Sequence, residues 1–151
     1  MKQSPKLNYK IRIARLSDAQ QIAKLCLQLG YSNTSQEIEN RLNAIDPDRT
    51  QSIWVAASNK NDIIGWVHAL KVVYLESSPF IEIGGLVVDQ DQRGKGIGKA
   101  LIQKVEHWAK TIGLLEIRLR SNIIRKEAHE FYEKIGFKNV KTQYTFYKKL
   151  D

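Results

Sequence analysis

The segment from Val87 to Gly98 constrains this chain more than any other, because it reads as a strand, a glycine-rich loop and the start of a helix. Without a Cβ atom, the glycines of this loop let backbone amides approach a ligand closely. A helix N-terminus adds unpaired N–H groups and a partial positive charge. The segment therefore predicts a phosphate-binding loop, and a tight turn without a ligand is the alternative interpretation.

The spacing of the glycines excludes two nucleotide-binding motifs. A P-loop has four residues between its first glycine and a Gly-Lys-Ser/Thr end, and that end is absent here. The dinucleotide fingerprint G-x-G-x-x-G opens the helix of an early βαβ unit, whereas Gly94-x-Gly96-x-Gly98 lies in mid-chain. Basic side chains surround the loop: Arg93, Lys95 and Lys99.

Length and charge set the class of protein. The 151 residues suit one compact domain over residues 1–151, and we find no repeat or linker. The net charge of +8 has clusters at the loop and over residues 118–126, which favours a small phosphorylated ligand over nucleic acid. A polar N-terminus and the lack of a membrane-spanning apolar run predict a cytoplasmic protein. Cys26 is the single cysteine, which excludes an intrachain disulfide and a multi-cysteine metal site, and we expect no metal.

Periodicity and turn residues predict the order strand, two helices, three strands, helix, strand, helix, strand. Hairpins followed by crossovers indicate an α/β chain with a mixed sheet and helices on both faces. The predicted strands are 10–14, 53–57, 63–74, 80–88, 115–119 and 141–149. Four helices are predicted. The first is opened by a capping box at Ser17–Gln20 and ended by Gly30, and the second is opened by Thr34 with Glu37 and closed by Asp46-Pro47. The other two helices are predicted at 97–112 and 126–135.

Two motifs then carry a family resemblance. Arg93, Gly96 and Gly98 match the Arg/Gln-x-x-Gly-x-Gly/Ala pattern of the GNAT superfamily of N-acetyltransferases, and residues 85–88 resemble the strand before it. A second element, residues 128–137, follows in the family's order and spacing. The resemblance covers nearly the whole chain. It implies the GNAT fold, a mixed sheet of six to seven strands splayed between the fourth and fifth.

The resemblance implies transfer of an acetyl group from acetyl-CoA to an amine. Many members have an asparagine three residues before the alanine of the second motif, where this chain has Arg125; Asn122 is six residues before it. Arg125 is expected at a CoA phosphate or at an acidic group of the substrate. The implied contacts with CoA are Leu86, Val87 and Val88 for the pantetheine arm, Arg93, Gly94, Lys95, Gly96, Ile97, Gly98 and Lys99 for the diphosphate, and Asn122 and Arg125 downstream.

The resemblance also supplies candidates for proton transfer. Tyr132 is the expected general acid for the leaving thiolate, with a core aromatic residue as the alternative. Glu82 is the expected base, directly or through water, with an edge-exposed or substrate-orienting carboxylate as the alternative. Strict alternation puts Glu82, Gly84 and Leu86 on one face. Gly84-Gly85 predicts a β-bulge at the splay, or a simple packing accommodation.

The sequence constrains the acceptor substrate less than it constrains the acetyl donor. Trp66 and His68 alternate on one strand face and are candidates for its pocket, as is Tyr31, whereas His129 is expected to be structural. The motifs resemble the branch with aminoalkylphosphonate and aminoglycoside acetyltransferases, and the net charge favours a small-molecule amine, one with an anionic group included. Protein N-termini or lysines, and a non-enzymatic CoA- or nucleic-acid-binding module, are the alternatives. A homodimer is implied, with no membrane partner.

Overall fold

The computed structural model describes residues 7–45 and 49–151. The chain divides into two compact units, Met1–Arg120 and Ser121–Asp151. Each unit is described by itself, and the organisation as one domain stays a prediction. Asp46-Pro47, the predicted end of the second helix, lies outside the described residues. Among the described residues, no helix is both long enough and apolar enough to cross a membrane.

The first unit contains a five-stranded sheet in the order β1-β2-β3-β4-β5. The first three pairings are antiparallel and β4–β5 is parallel, as the predicted mixed sheet requires. The strands are β1 (Tyr9–Ile13), β2 (Gln51–Ser58), β3 (Ile63–Val72), β4 (Phe80–Val88) and β5 (Ile117–Leu119).

Three helices of the first unit cover both faces of this sheet. They are α1 (Ala19–Gln28), α2 (Ser35–Ile45) and α3 (Ile97–Thr111). Val55 and Val87 pack with α1 and α2 in one buried apolar cluster. The neighbouring Trp54 points to the opposite face, where its ring meets Trp108 of α3 at 5.5 Å between centroids. The predicted α/β architecture with helices on both faces is confirmed.

The starts of the first two helices differ in how well the sequence predicts them. At α2 the predicted opening by Thr34 and Glu37 is confirmed, and the two residues form a capping box. Thr34 Oγ1 accepts from the Glu37 amide at 3.1 Å, and Glu37 Oε2 accepts from the Thr34 amide at 2.8 Å. The capping box at Ser17 is wrong, because a 3-10 turn over Leu16–Asp18 precedes α1. Its Asp18 carboxylate instead accepts from the Arg15 amide and the Arg12 guanidinium.

A β-bulge divides β4. His68 pairs with Gly85 but the next residue, Ala69, pairs with Ile83, so Gly84 is the extra residue. The predicted bulge is confirmed. It also changes which residues of β4 lie on the same face of the sheet, so the predicted assignment of faces is wrong in part. Because the extra residue shifts the alternation, Glu82 and Gly84 share a face but Leu86 lies on the opposite one, beside Val67.

β4 and β5 part at the bulge, as the resemblance implied. β5 pairs with residues 81–83 of β4 and no further, although β4 continues to Val88. Among the strands of the described residues, the second half of β4, residues 84–88, therefore pairs with β3 alone. An edge of unpaired backbone groups opens beside β5.

The second unit holds one helix, α4 (Lys126–Lys134), and none of its residues is fully buried. The predicted strand at 141–149 is wrong, because these residues belong to no strand. Tyr144 and Phe146 expose 91% and 92% of their surface. Alternating apolar residues form a stable strand only when a neighbour pairs with the backbone, and no described strand pairs with these residues. Within the described residues the sheet therefore has five strands, not six or seven.

Candidate active site

The glycine loop leads from β4 into α3 through two left-handed residues. Gly94 and Gly96 have φ of +76° and +81°, a region that side chains with a Cβ rarely adopt. Gly96 is the N-cap of α3 and offers no side-chain cap. The first intrahelical bond runs from the Ala100 amide, so the amides of the first turn have no helical acceptor. They form an anion-binding N-terminus.

Helix α1 braces the start of this loop through a residue that sequence reasoning missed. Gln28 Nε2 donates to Asp89 Oδ1 at 3.3 Å, and Gln28 Oε1 accepts from the Gln90 amide at 2.9 Å. The same Asp89 oxygen accepts from the Asp91 amide at 3.2 Å. Gln28 lies 61 residues before Asp89, and no periodic or motif signal links the two positions.

Three cations surround the N-terminus of α3. Arg93 Nε donates to the Val88 carbonyl at 3.3 Å, and Lys95 Nζ donates to Gln92 Oε1 at 2.8 Å. Lys99 is exposed in the first turn. Uncapped amides, left-handed glycines and three positive charges together fit a diphosphate group. The unpaired edge of residues 84–88 fits an extended amide chain, which pairs there as an added strand would.

One face of the sheet carries polar residues around the bulge. A Cβ on Gly85 would lie 2.8 Å from the Trp66 ring, and one on Gly84 would lie 3.3 Å from His68 Nδ1. Both glycines therefore face the same side as Trp66, His68 and Glu82. We call these five residues the glycine shelf. Glycine is required at position 85 because the indole occupies the space of a side chain.

His68 is held neutral and in one tautomer. Its Nε2 lies 2.9 Å from Gln51 Oε1, and since that oxygen accepts, we assign the proton to Nε2. Burial lowers the pKa of His68, because desolvation penalises the imidazolium. The imidazole is therefore uncharged at neutral pH, with the lone pair of Nδ1 toward Gly84. Gln51 is a second residue that sequence reasoning missed.

Glu82 has a charged neighbour that the sequence did not reveal. Arg120 Nε donates to Glu82 Oε1 at 3.0 Å. The Glu82 side chain is 16% exposed and that of Arg120 is 74% exposed. Residues 82 and 120 come together because β5 lies parallel to β4, with Arg118 opposite Glu82. The predicted basic cluster at 118–126 was the one signal for this contact.

Tyr132 lies in the second unit, half-buried in α4. Its ring contacts Phe131 and Phe137, at 5.3 and 5.8 Å between centroids. Burial raises the pKa of Tyr132, and the Arg125 charge opposes that shift only in part. The phenol therefore keeps its proton at neutral pH, which is the state that an acid needs.

The contacts of the other residues predicted for the site are local ones. Asn122 lies three residues after β5 and does not end it as expected; its Oδ1 accepts from the Ile124 amide at 3.2 Å. Its carbonyl oxygen lies 2.9 Å from His129 Nε2, which agrees with a structural His129. Tyr31, between α1 and α2, is 67% exposed. Among residues 7–45 and 49–151, no three His, Cys, Asp or Glu side chains form a metal-binding group.

Residues 16–137 match the model of the Acetyltransferase (GNAT) family. The chain belongs to this family. The matched range includes the split strand, the glycine loop, α3 and α4. The resemblance inferred from the two motifs is confirmed.

Similar proteins include an uncharacterized N-acetyltransferase of Bacillus subtilis, 39% identical over 46% of this GNAT chain and 49% of its own length. Matches to two further curated relatives cover 28% and 24% of their lengths. The fold matches an aminoglycoside N-acetyltransferase in complex with CoA (TM-score 0.83, 20% identity, 97% and 99% of the two chains). It also matches glucosamine-6-phosphate N-acetyltransferase of Arabidopsis thaliana (TM-score 0.81, 24% identity, 93% and 98%).

Proposed function

We propose that this protein transfers an acetyl group from acetyl-CoA to a primary amine of a small molecule. The observation that carries the proposal is the split of β4 from β5 at Gly84, which leads directly into the glycine loop at the N-terminus of α3. An extended amide arm and a diphosphate match these two adjoining features. Membership of the GNAT family and the CoA complex of a structural neighbour support the same donor.

The donor contacts follow from these two features. Leu86, Val87 and Val88 pair through their backbone with the pantetheine arm. The diphosphate binds the loop and the helix start through charge-assisted hydrogen bonds. The residues of this part of the site are Arg93, Gly94, Lys95, Gly96, Ile97, Gly98 and Lys99. The roles of Asn122 and Arg125 at the CoA arm and phosphates rest on the second motif alone.

The chemistry needs a base, an acid and no metal. The amine nitrogen attacks the thioester carbon and forms the C–N bond, while Glu82 takes the amine proton directly or through water. The C–S bond then breaks, and Tyr132 protonates the departing thiolate and regains a proton from solvent. The raised pKa of Tyr132 keeps that proton available until the thiolate forms.

The acceptor binds on the glycine shelf. Trp66 and His68 contact its body there, and Tyr31 closes the pocket from the connection between α1 and α2. The relatives point to small molecules: one structural neighbour acts on aminoglycosides and another on glucosamine 6-phosphate. A homodimer and a cytoplasmic location stay predictions, and we propose no nucleic-acid or membrane partner.

A panel of amines with acetyl-CoA, followed by release of free CoA, tests the proposal. We expect turnover with a small-molecule amine, and Tyr132→Phe to lower kcat by about 100-fold with little change in the Kd of acetyl-CoA. Tyr144→Phe is the matched control, because Tyr144 is 91% exposed. Acetyl-CoA binding without transfer to any amine would indicate a binding module, and transfer to peptides alone would indicate protein acetylation.

A further inference from the structure

The charged side chains beside the glycine shelf form two ion pairs, each of one arginine and one glutamate. Arg118 and Arg120 come from β5 and the residue after it, on the Glu82 side of the sheet. Arg118 is occupied: its guanidinium lies 3.9 Å from the centre of the Phe80 ring and its Nε donates to Glu116 at 2.6 Å. Arg120 is exposed, and its bond to Glu82 uses Nε. Among the described residues, its two Nη groups have no hydrogen-bond partner.

We propose that Glu82 and Arg120 act together to select an acceptor with an anionic group, a carboxylate or a phosphate, within a few bonds of its reacting amine. This inference rests on the proposed acetyl transfer and names the substrate class of that reaction. Glu82 attracts the amino group and accepts its proton. The free Nη fork of Arg120 binds the anionic group, since a guanidinium matches the oxygens of both anions in bidentate geometry.

The distance between the two protein charges sets the spacing in the ligand. Glu82 Oε1 and Arg120 Nε are 3.0 Å apart, so a ligand that meets both side chains carries its amine and its anion within a few bonds of each other. The remaining shelf is uncharged, because His68 is a neutral imidazole beside Trp66 and two glycines. A compact, neutral molecular body between the amine and the anion fits that surface.

The same pairs disfavour a polycationic acceptor. Binding several ammonium groups requires carboxylates that are free of other partners. Here the Glu82 carboxylate is bonded to Arg120 and that of Glu116 to Arg118. The two structural neighbours, which act on an aminoglycoside and on a sugar phosphate, share the fold. The fold therefore leaves the charge of the acceptor open, and the side chains at positions 82 and 120 decide it.

The experiment compares acceptors that differ in the anion alone. Ethanolamine is paired with O-phosphoethanolamine, glycinamide with glycine, and spermidine represents polycations; each kcat/KM is corrected for the fraction of neutral amine. For the wild type we expect at least a 10-fold preference for the anionic member, and the two pairs distinguish phosphate from carboxylate. Arg120→Gln should raise KM for that member by about 10- to 100-fold and abolish the preference over the neutral member.

Two controls separate recognition from general charge and from folding. Lys110→Gln removes the same charge from the last turn of α3 and should leave the preference intact, and Arg120→Lys should retain part of it. Equal use of both members by the wild type, a preference for spermidine, or an unchanged preference in Arg120→Gln would overturn the inference.

Failure of the acetyl transfer itself gives a different result. If acetyl-CoA binds but no amine is acetylated, the proposed function fails, and calorimetry with the two phosphate-pair amines in the presence of CoA still tests the inference. Tighter binding of O-phosphoethanolamine than of ethanolamine, lost in Arg120→Gln, would support it. Equal binding would overturn it.

Discussion

Two of the arginine–carboxylate pairs of the first unit, Arg12–Asp18 and Arg120–Glu82, differ in how far they are exposed to solvent. Arg12 meets Asp18 through two bonds of 2.7 and 2.9 Å, with the side chains 11% and 2% exposed. Arg120 meets Glu82 through one bond of 3.0 Å, with the side chains 74% and 16% exposed. The first pair is completed by the Arg15 amide and Asn61, whereas the second leaves donors exposed.

The difference separates a structural pair from a recognition pair. A buried pair is costly to break because the remaining charge stays uncompensated, while an exposed pair contributes little to stability. The Arg12–Asp18 pair fixes the turn that opens α1. The Arg120–Glu82 pair is open to a ligand. Four predictions test this contrast, from the largest expected effect to the smallest.

Breaking the closed pair should have the largest effect. Asp18→Asn keeps the size of the side chain but leaves the Arg12 charge buried without a counter-ion. We expect the free energy of unfolding to fall by about 3–5 kcal/mol, measured by urea denaturation. A loss below about 1 kcal/mol would show that the pair is not a structural element.

The same contribution should disappear in acid. Burial by itself raises the pKa of Asp18, but the Arg12 and Arg15 hydrogen bonds and charges outweigh it, so the pKa falls below the ordinary 3.8. A lowered pKa stabilises the fold above pH 3.8 and loses that contribution as the pH falls through the folded value. The stability difference between wild type and Asp18→Asn should therefore shrink below about pH 4. A constant difference down to pH 2 would contradict this assignment.

The glycine shelf should show an intermediate effect. Gly85→Ala places a Cβ 2.8 Å from the Trp66 ring, and we expect a loss of about 1–3 kcal/mol of stability from overpacking. Trp66→Leu should relieve most of that loss when combined with Gly85→Ala. Additive losses in the double-mutant cycle would show that the indole does not lie over Gly85.

Breaking the open pair should have the smallest effect on folding. Arg120→Gln should change the free energy of unfolding by at most about 1 kcal/mol, because the arginine is largely in solvent. The same urea titrations used for Asp18→Asn give this value. A loss as large as that of Asp18→Asn would make the second pair structural as well, and the contrast would fail.

Local signals in the sequence predicted most of the helices and strands. The bounds of β4 are those predicted, α3 and α4 end within a residue of the prediction, and the Thr34–Glu37 box is present. These features depend on turn residues and periodicity within a few positions. The predicted bulge at Gly84-Gly85 belongs to the same class, since glycine in a strand signals a local change of backbone.

The sequence predictions that were wrong, and the contacts that were missed, depend on residues that are not neighbours in the sequence. The bulge moves Leu86 to the other face, because one extra residue reverses every later side chain. A 3-10 turn over Leu16–Asp18 takes the place of the predicted cap at Ser17, and its Asp18 carboxylate binds Arg12 of β1. The Arg120–Glu82 and Gln28–Asp89 contacts span 38 and 61 residues. The expected final strand had the right pattern but no pairing neighbour.

Calorimetry with acetyl-CoA and with acetyl-pantetheine, which lacks the diphosphate and the nucleoside, tests the central claim most directly. In the proposed complex the diphosphate binds the loop at the N-terminus of α3 through several charge-assisted hydrogen bonds. We therefore predict that acetyl-CoA binds at least about 100-fold more tightly than acetyl-pantetheine. Equal affinities, or no binding of acetyl-CoA at millimolar concentration, would contradict the account.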